Sequence, residues 1–186
     1  MVTLTESLPR SLAASQVSFR DLFEQHASQV WRALRYLGVP EADLPDACQE
    51  VFLVVHRRLG DFEGRSSLET WLYGIAVRVA ASFRRRAHVR REVVQSIPDD
   101  GRDADQDEAV QRGQDRARLL VALAGLEDGA REAFVLFEIE ERPMTEVAQI
   151  LGLPLRTAYA RLHQARDAVR KAWTDAEASS GRGRRR

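Results

Sequence analysis

From Ser18 to Trp173 the apolar residues return every three or four positions, and nowhere do they alternate one by one over the length of a strand. A chain patterned in this way buries its apolar side chains along helix stripes, so the sequence predicts an all-α protein. The first stripe, Phe19, Leu22, Phe23, Val30, Leu34 and Leu37, runs out at Gly38 and Pro40. A second helix, about 44–59, carries Val51, Phe52, Val55 and Leu59 on one face, with Asp46, Gln49, Glu50 and Arg57 largely on another. After the loop 60–65, Ser66 followed by Glu69 has the form of a capping box. The box would open a third helix with Leu68, Trp71, Leu72, Ile75, Val79 and Phe83 inward.

Residues 95–115 lose apolar content and gain acid, with Pro98 and Gly101 as breakers. A segment of that composition cannot join two halves in one core. The expected organisation is therefore two small helical domains, 18–94 and 116–174, joined by an acidic flexible linker, 95–115. A disordered N-terminal segment, 1–17, and a basic flexible tail, 175–186, complete the chain.

Lys and Arg number 28, and so do Asp and Glu, yet the balance hides segregation. Positive charge gathers in Arg84, Arg85, Arg86, Arg90 and Arg91, again from Arg156 to Lys171, and in the tail. Negative charge gathers between them, from Asp99 to Glu108. Separate basic surfaces joined by an acidic strap fit a nucleic-acid partner, although solvated helix faces around a linker would give the same pattern. Uncharged stretches reach about nine residues, roughly half of what a membrane-spanning helix requires, and no basic start with an apolar block stands at the N-terminus. No membrane insertion is expected, and the cytoplasm is the expected location. The single Cys48 permits no internal disulfide, and no metal, cofactor or catalytic constellation is recognisable, so the reading is not an enzyme. Glu138, Glu140 and Glu141 could hold a hard cation, but read more simply as a solvated helix end.

The most specific local signal lies between Thr145 and Arg166. A short helix, then Gly152-Leu153-Pro154, then a longer helix with Leu155, Ala158 and Leu162 inward, has helix-turn-helix spacing. Ala148 allows close helix approach and Gly152 tolerates positive φ in the turn. The opposite face of the second helix presents Arg156, Thr157, Tyr159, Ala160, Arg161 and His163, side chains able to meet base edges and phosphates in a major groove. A plain αα-hairpin has the same spacing. On the third helix, Arg78, Ser82 and Arg85 lie about one turn apart, a strip suited to a nucleic-acid backbone or to the negative end of the helix dipole. Trp71 reads as core, whereas Tyr73 could stack on a base.

These residues resemble a known family. Asp46-Ala-Cys-Gln-Glu-Val-Phe-Leu53, then Phe62-Glu-Gly-Arg-Ser-Ser-Leu-Glu-Thr-Trp-Leu-Tyr73 and the run Arg84-Arg85-Arg86 are similar to the promoter-melting half of extracytoplasmic-function sigma factors of bacterial RNA polymerase. Leu123-Ala-Gly-Leu126, Arg131-Glu-Ala-Phe134, Glu146 to Pro154 and Arg161-Leu-His-Gln-Ala-Arg166 are similar to that family's DNA-binding half. The resemblance implies that Asp46, Gln49, Glu50 and Phe52 dock on core polymerase. It implies that Phe62, Gly64, Arg65, Ser66, Ser67, Arg78, Ser82, Arg84, Arg85 and Arg86 hold the melted minus-ten strand. It further implies that Arg156, Thr157, Tyr159, Ala160, Arg161 and His163 read the minus-thirty-five element, and that an anti-sigma factor is a further partner. The acidic linker would thread the polymerase interior. A free-standing helix-turn-helix repressor or activator is the alternative, and a helical adaptor a third class.

Overall fold

The computed structural model describes the backbone of residues 18–93 and 107–183, and among these residues there is no strand. Helix α1 (Phe19–Tyr36) opens on Ser18, whose side chain accepts the Arg20 N–H at 3.2 Å. It closes where Gly38 takes φ 88° and the Val39 N–H turns back to the Leu34 carbonyl. Helix α2 (Leu44–Arg58) places Pro45 and Asp46 in its first turn and His56, Arg57 and Arg58 in its last, the polarity its dipole favours. These two helices pack on each other and on α3 (Leu68–Val93), burying Leu22, Leu34, Val51, Val55, Leu72 and Val79.

The start of α3 corrects the expected capping box. Ser67, not Ser66, caps the helix: its Oγ accepts the Thr70 N–H at 3.0 Å and lies 2.7 Å from the Thr70 hydroxyl. Ser66 instead donates to the Ser67 carbonyl. Thr70 thereby takes the place assigned to Glu69, whose carboxylate is left free to pair elsewhere.

The second half consists of α4 (Asp107–Ala124), α5 (Asp128–Phe134), α6 (Met144–Leu151) and α7 (Leu155–Gly183), with α7 as the spine on which the other three pack. Helix α4 takes in the last nine residues of the expected linker, and α7 runs well past Trp173 into the expected tail. Residues 1–17 and most of the linker lie outside the described residues. Between α5 and α6 the chain makes a five-residue π-helical turn, Val135–Ile139, closed by the Glu140 N–H on the Val135 carbonyl at 3.0 Å. Glu141 then takes φ 52°, which reverses the chain towards α6. Gly152, at φ 65°, ends α6 and sets the steep turn into α7.

The expectation of two separate cores changes in one respect: the halves meet. Helix α3 packs on α6, α1 packs on the π-helical turn, and the buried apolar residues of both halves form one contiguous cluster. Within the second half, Arg131 is only 6% exposed and acts as a bracket, donating to the carbonyls of Leu123, Ala124 and Leu126 and to Asp128. It satisfies the open C-terminal carbonyls of α4, which burial would otherwise leave without partners. Arg131→Met is expected to lower unfolding stability by about 2–4 kcal/mol, read as a fall in the urea midpoint at unchanged slope.

Candidate docking and nucleic-acid surfaces

The first surface is an apolar groove of about 870 Å³ between α1 and α2. Phe23, expected inward, is instead 44% exposed here, and with Trp31 and Leu53 it stands along the groove, a costly arrangement for side chains of that size unless a partner covers them. Phe52 forms its floor and meets Phe23 edge-on, with ring centroids 4.7 Å apart. Of the four residues expected to dock polymerase, Gln49 and Phe52 line this groove, and Asp46 is exposed in the first turn of α2. Glu50 is engaged by Arg86 at 3.2 Å. Cys48 also lines the groove, and burial raises its thiol pKa, which suits a packing role. A groove of this shape and chemistry fits the apolar face of a partner helix.

The second surface is the loop before α3 together with the exposed side of that helix. Phe62 leans on Trp71 with centroids 5.3 Å apart, which fixes the loop against the helix. Gly64 takes φ 67°, Arg65 pairs with Glu63, and Ser67 is committed to the cap. Arg78 and Arg85 are exposed and Ser82 is half-buried, so the strip at one-turn spacing exists. Arg86 joins it, lying 4.0 Å over the Phe83 ring and donating to Ser82.

Arg84 departs from its neighbours. Its side chain is 9% exposed, donates to the Leu37 carbonyl at 2.7 Å and to Glu132 at 2.8 Å, and pairs with Asp128. In this arrangement it faces the other half of the protein and not solvent. Tyr73 is likewise buried, its hydroxyl on Glu140 at 2.6 Å, so its ring offers no face to a base. Burial, then the neighbouring Glu140 carboxylate, raises the Tyr73 pKa.

The third surface is the outer face of α7. Ala158 and Leu162 are buried as the spacing requires, while Arg156, Tyr159, Ala160 and His163 are exposed and Thr157 is half-buried. Leu155, expected inward, is the first residue of α7 and is 43% exposed. Arg161 turns back along the protein: its guanidinium lies so close over Gly129 that any side chain there would collide with it.

A fourth cluster, unforeseen in the sequence, sits where the halves meet. Glu140 is 3% exposed and receives Arg32 through both guanidinium arms, at 3.0 and 2.8 Å, as well as Tyr73. Thr70 donates to Glu146 at 2.8 Å, and Arg142 pairs with Glu69. The expectation of a solvated Glu140 is therefore overturned, because the π-helical turn rotates this carboxylate inward. Burial raises the Glu132 pKa, against the opposing pull of Arg84.

Residues 22–90 match the family described as Sigma-70 region 2, and residues 116–169 match the family described as Sigma-70, region 4. The RNA polymerase sigma factor CnrH of Cupriavidus metallidurans is 28% identical over 177 residues, covering 87% of this chain and 92% of that protein. The ECF RNA polymerase sigma-E factor of Escherichia coli K12 is 31% identical over 147 residues, covering 70% and 74%. The solved structure of CnrH in complex with the cytosolic domain of CnrY matches with a TM-score of 0.66 at 26% identity, over 90% of this chain and 95% of that one. Region 2 followed by region 4 is the layout of a sigma factor. The chain belongs to the extracytoplasmic-function sigma factors, which direct bacterial RNA polymerase to promoters for transcription initiation.

The two serines before α3 give a direct check of the local geometry. Ser67→Ala should cost about 1 kcal/mol through the lost cap, whereas Ser66→Ala should leave the thermal midpoint nearly unchanged.

Proposed function

We propose that this sigma factor works through three surfaces with separate tasks: the α1–α2 groove docks core polymerase, the α3 loop and arginine strip hold the melted minus-ten strand, and the face of α7 reads the minus-thirty-five element. The observation that carries this division is on the first half alone. An apolar groove lined from α1 and α2, with Asp46 exposed next to its Pro45, and an arginine strip through Arg78 and Arg85 of α3 belong to different helices of one three-helix unit. Carboxylates repel phosphates, so the edge with Asp46 suits a protein partner, and the strip suits single-stranded DNA. Phe62, Gly64, Arg65, Ser66 and Ser67 form the rim on which an unstacked base would sit.

On α7, the exposed Arg156 and Tyr159 would meet base edges, with Thr157, Ala160 and His163 beside them. Arg161, turned towards Gly129, would contribute to the backbone side of the groove at most after moving. An anti-sigma factor is a further expected partner: solved relatives include CnrH bound to CnrY, and RpoE of Bartonella quintana bound to the anti-sigma factor NepR. Among the described residues no helix is long and apolar enough to cross a membrane. A cytoplasmic, non-enzymatic factor is the reading that follows, and it leaves no need for the free-standing regulator.

The test is run-off transcription and core binding with purified chain and reconstituted core. Leu53→Asp should weaken core binding by about tenfold, or about 1.4 kcal/mol, without unfolding the chain. Arg156→Ala should lose about 1–3 kcal/mol at particular minus-thirty-five base pairs, while Arg85→Ala should impair permanganate-detected strand opening more than closed-complex formation. Leu53→Asp with unchanged core affinity would remove the groove from the docking surface. Arg156→Ala with unchanged promoter binding for every minus-thirty-five variant would remove α7 as the upstream reader.

A further inference from the structure

We propose that the cleft between the turn after α1, the later turns of α3 and the start of α5 binds a compact phosphorylated anion, one that carries two linked phosphate groups. The cleft has a volume of about 400 Å³, at the low end of the range that takes small molecules. Pro40 lines it from the turn after α1, Arg84, Arg85 and His88 from α3, and Asp128 and Arg131 from α5.

Its charge is incompletely balanced. Three guanidiniums line the cleft against one carboxylate, that of Asp128. Asp128 offers a single oxygen, Oδ1, to two of them, Arg84 at 3.1 Å and Arg131 at 3.0 Å. Those two side chains are only 9% and 7% exposed, so water does little to screen one from the other. Burial, and then the neighbouring Arg84 charge, lower the Arg131 pKa. Glu132 engages a further arm of Arg84 without lining the cleft. Despite the approach of Asp128, the buried Arg84 Nε has no acceptor in hydrogen-bonding direction. An N–H left in that state costs free energy that an added acceptor recovers. Arg85 is exposed and forms no ion pair among the described residues.

An oxyanion with several acceptors answers these needs together. Guanidinium forks match phosphate oxygens in pairs, and two linked phosphates supply enough charge to face three arginines from one ligand. Pro40 and Ala124 add wall on which the group that carries the phosphates can rest. Because the cleft draws on both halves of the chain, the ligand stabilises the packed protein by mass action. It also occupies Arg85, a member of the strip proposed to hold the melted strand, and so opposes strand capture. That consequence alone rests on the proposed role of the strip.

The probes are inorganic pyrophosphate and adenosine diphosphate, which carries the same group on a nucleoside. Calorimetric titration of the full chain at constant ionic strength should give one site with a dissociation constant below about 1 mM. Arg85→Gln and Ala124→Glu, both at exposed positions, should each weaken binding by about tenfold or more. The first removes a donor, and the second sets a carboxylate at the cleft. Arg20→Gln, at an exposed arginine of α1 outside the cleft, should leave the affinity unchanged. Tighter binding of adenosine diphosphate than of pyrophosphate would assign the site to a nucleotide, and equal binding to the diphosphate group alone. Absence of saturable binding by either probe overturns the site, as does an equal loss in all three variants, the mark of diffuse attraction to a basic surface. Pyrophosphate that binds as stated yet fails to displace a labelled mixed-sequence single-stranded DNA leaves the site standing and removes Arg85 from the strand-holding strip.

Discussion

A carboxylate removed from water must be repaid with partners, since an isolated buried charge costs several kcal/mol even after relaxation. Glu140 meets that requirement by taking both arms of Arg32 and the Tyr73 hydroxyl, all three supplied by the other half of the protein. Its position follows from the π-helical turn at 135–139, which adds a residue to the helical register and swings the carboxylate off the solvent side. Around this contact the other cross-half ties assemble, Thr70 with Glu146, Arg142 with Glu69 and Arg84 with Glu132. The two sigma regions are thus held together by a shared apolar cluster and by several polar ties, of which the buried Glu140 has the most partners.

Helix α3 is the element that the halves share and the nucleic acid would also use. With about 100° between successive residues, Thr70, Tyr73 and Arg84 fall on one side, and Arg78, Ser82 and Arg85 on an adjacent one. The first side is taken by region 4 and the second is open. The groove is lined from α1 and α2 alone, and Arg86 of α3 ties to α2 through Glu50. In the second half, α7 combines a buried stripe through Ala158 and Leu162 with an exposed outer face, and α6 and Gly152 set the angle at which that face is presented.

The helices and most of their inward faces were legible because burial imposes the 3.6-residue period directly on the apolar residues; Phe23 and Leu155, on the same period, are exposed. The helix-turn-helix was legible for the same reason, helped by a turn glycine whose positive φ is realised. Other features turn on distinctions that patterning does not record. Ser66 and Ser67 offer the same chemistry one residue apart, and only the backbone decides which caps α3. Arg84, Arg85 and Arg86 are identical in kind, and the phase of the helix sends the first inward and the others out. The roles of Glu140 and Arg131 leave no trace in composition, because each depends on backbone groups or side chains brought close by an irregular turn. Helix α7 continues past Trp173 through small and charged residues that carry no apolar stripe, so the periodicity that marks its first part falls silent.

The central structural claim is that the two halves of the free chain pack on each other, with Glu140 held by Arg32 and Tyr73 of the other half. The measurement closest to that claim is energy transfer between dyes on Arg58→Cys, at the end of α2, and Gln164→Cys, on the outer part of α7, in a Cys48→Ser chain. Transfer should be high in the free wild-type chain and fall when Glu140→Ala removes the buried carboxylate that Arg32 and Tyr73 hold. Low transfer in the free wild-type chain would contradict the packing of the halves.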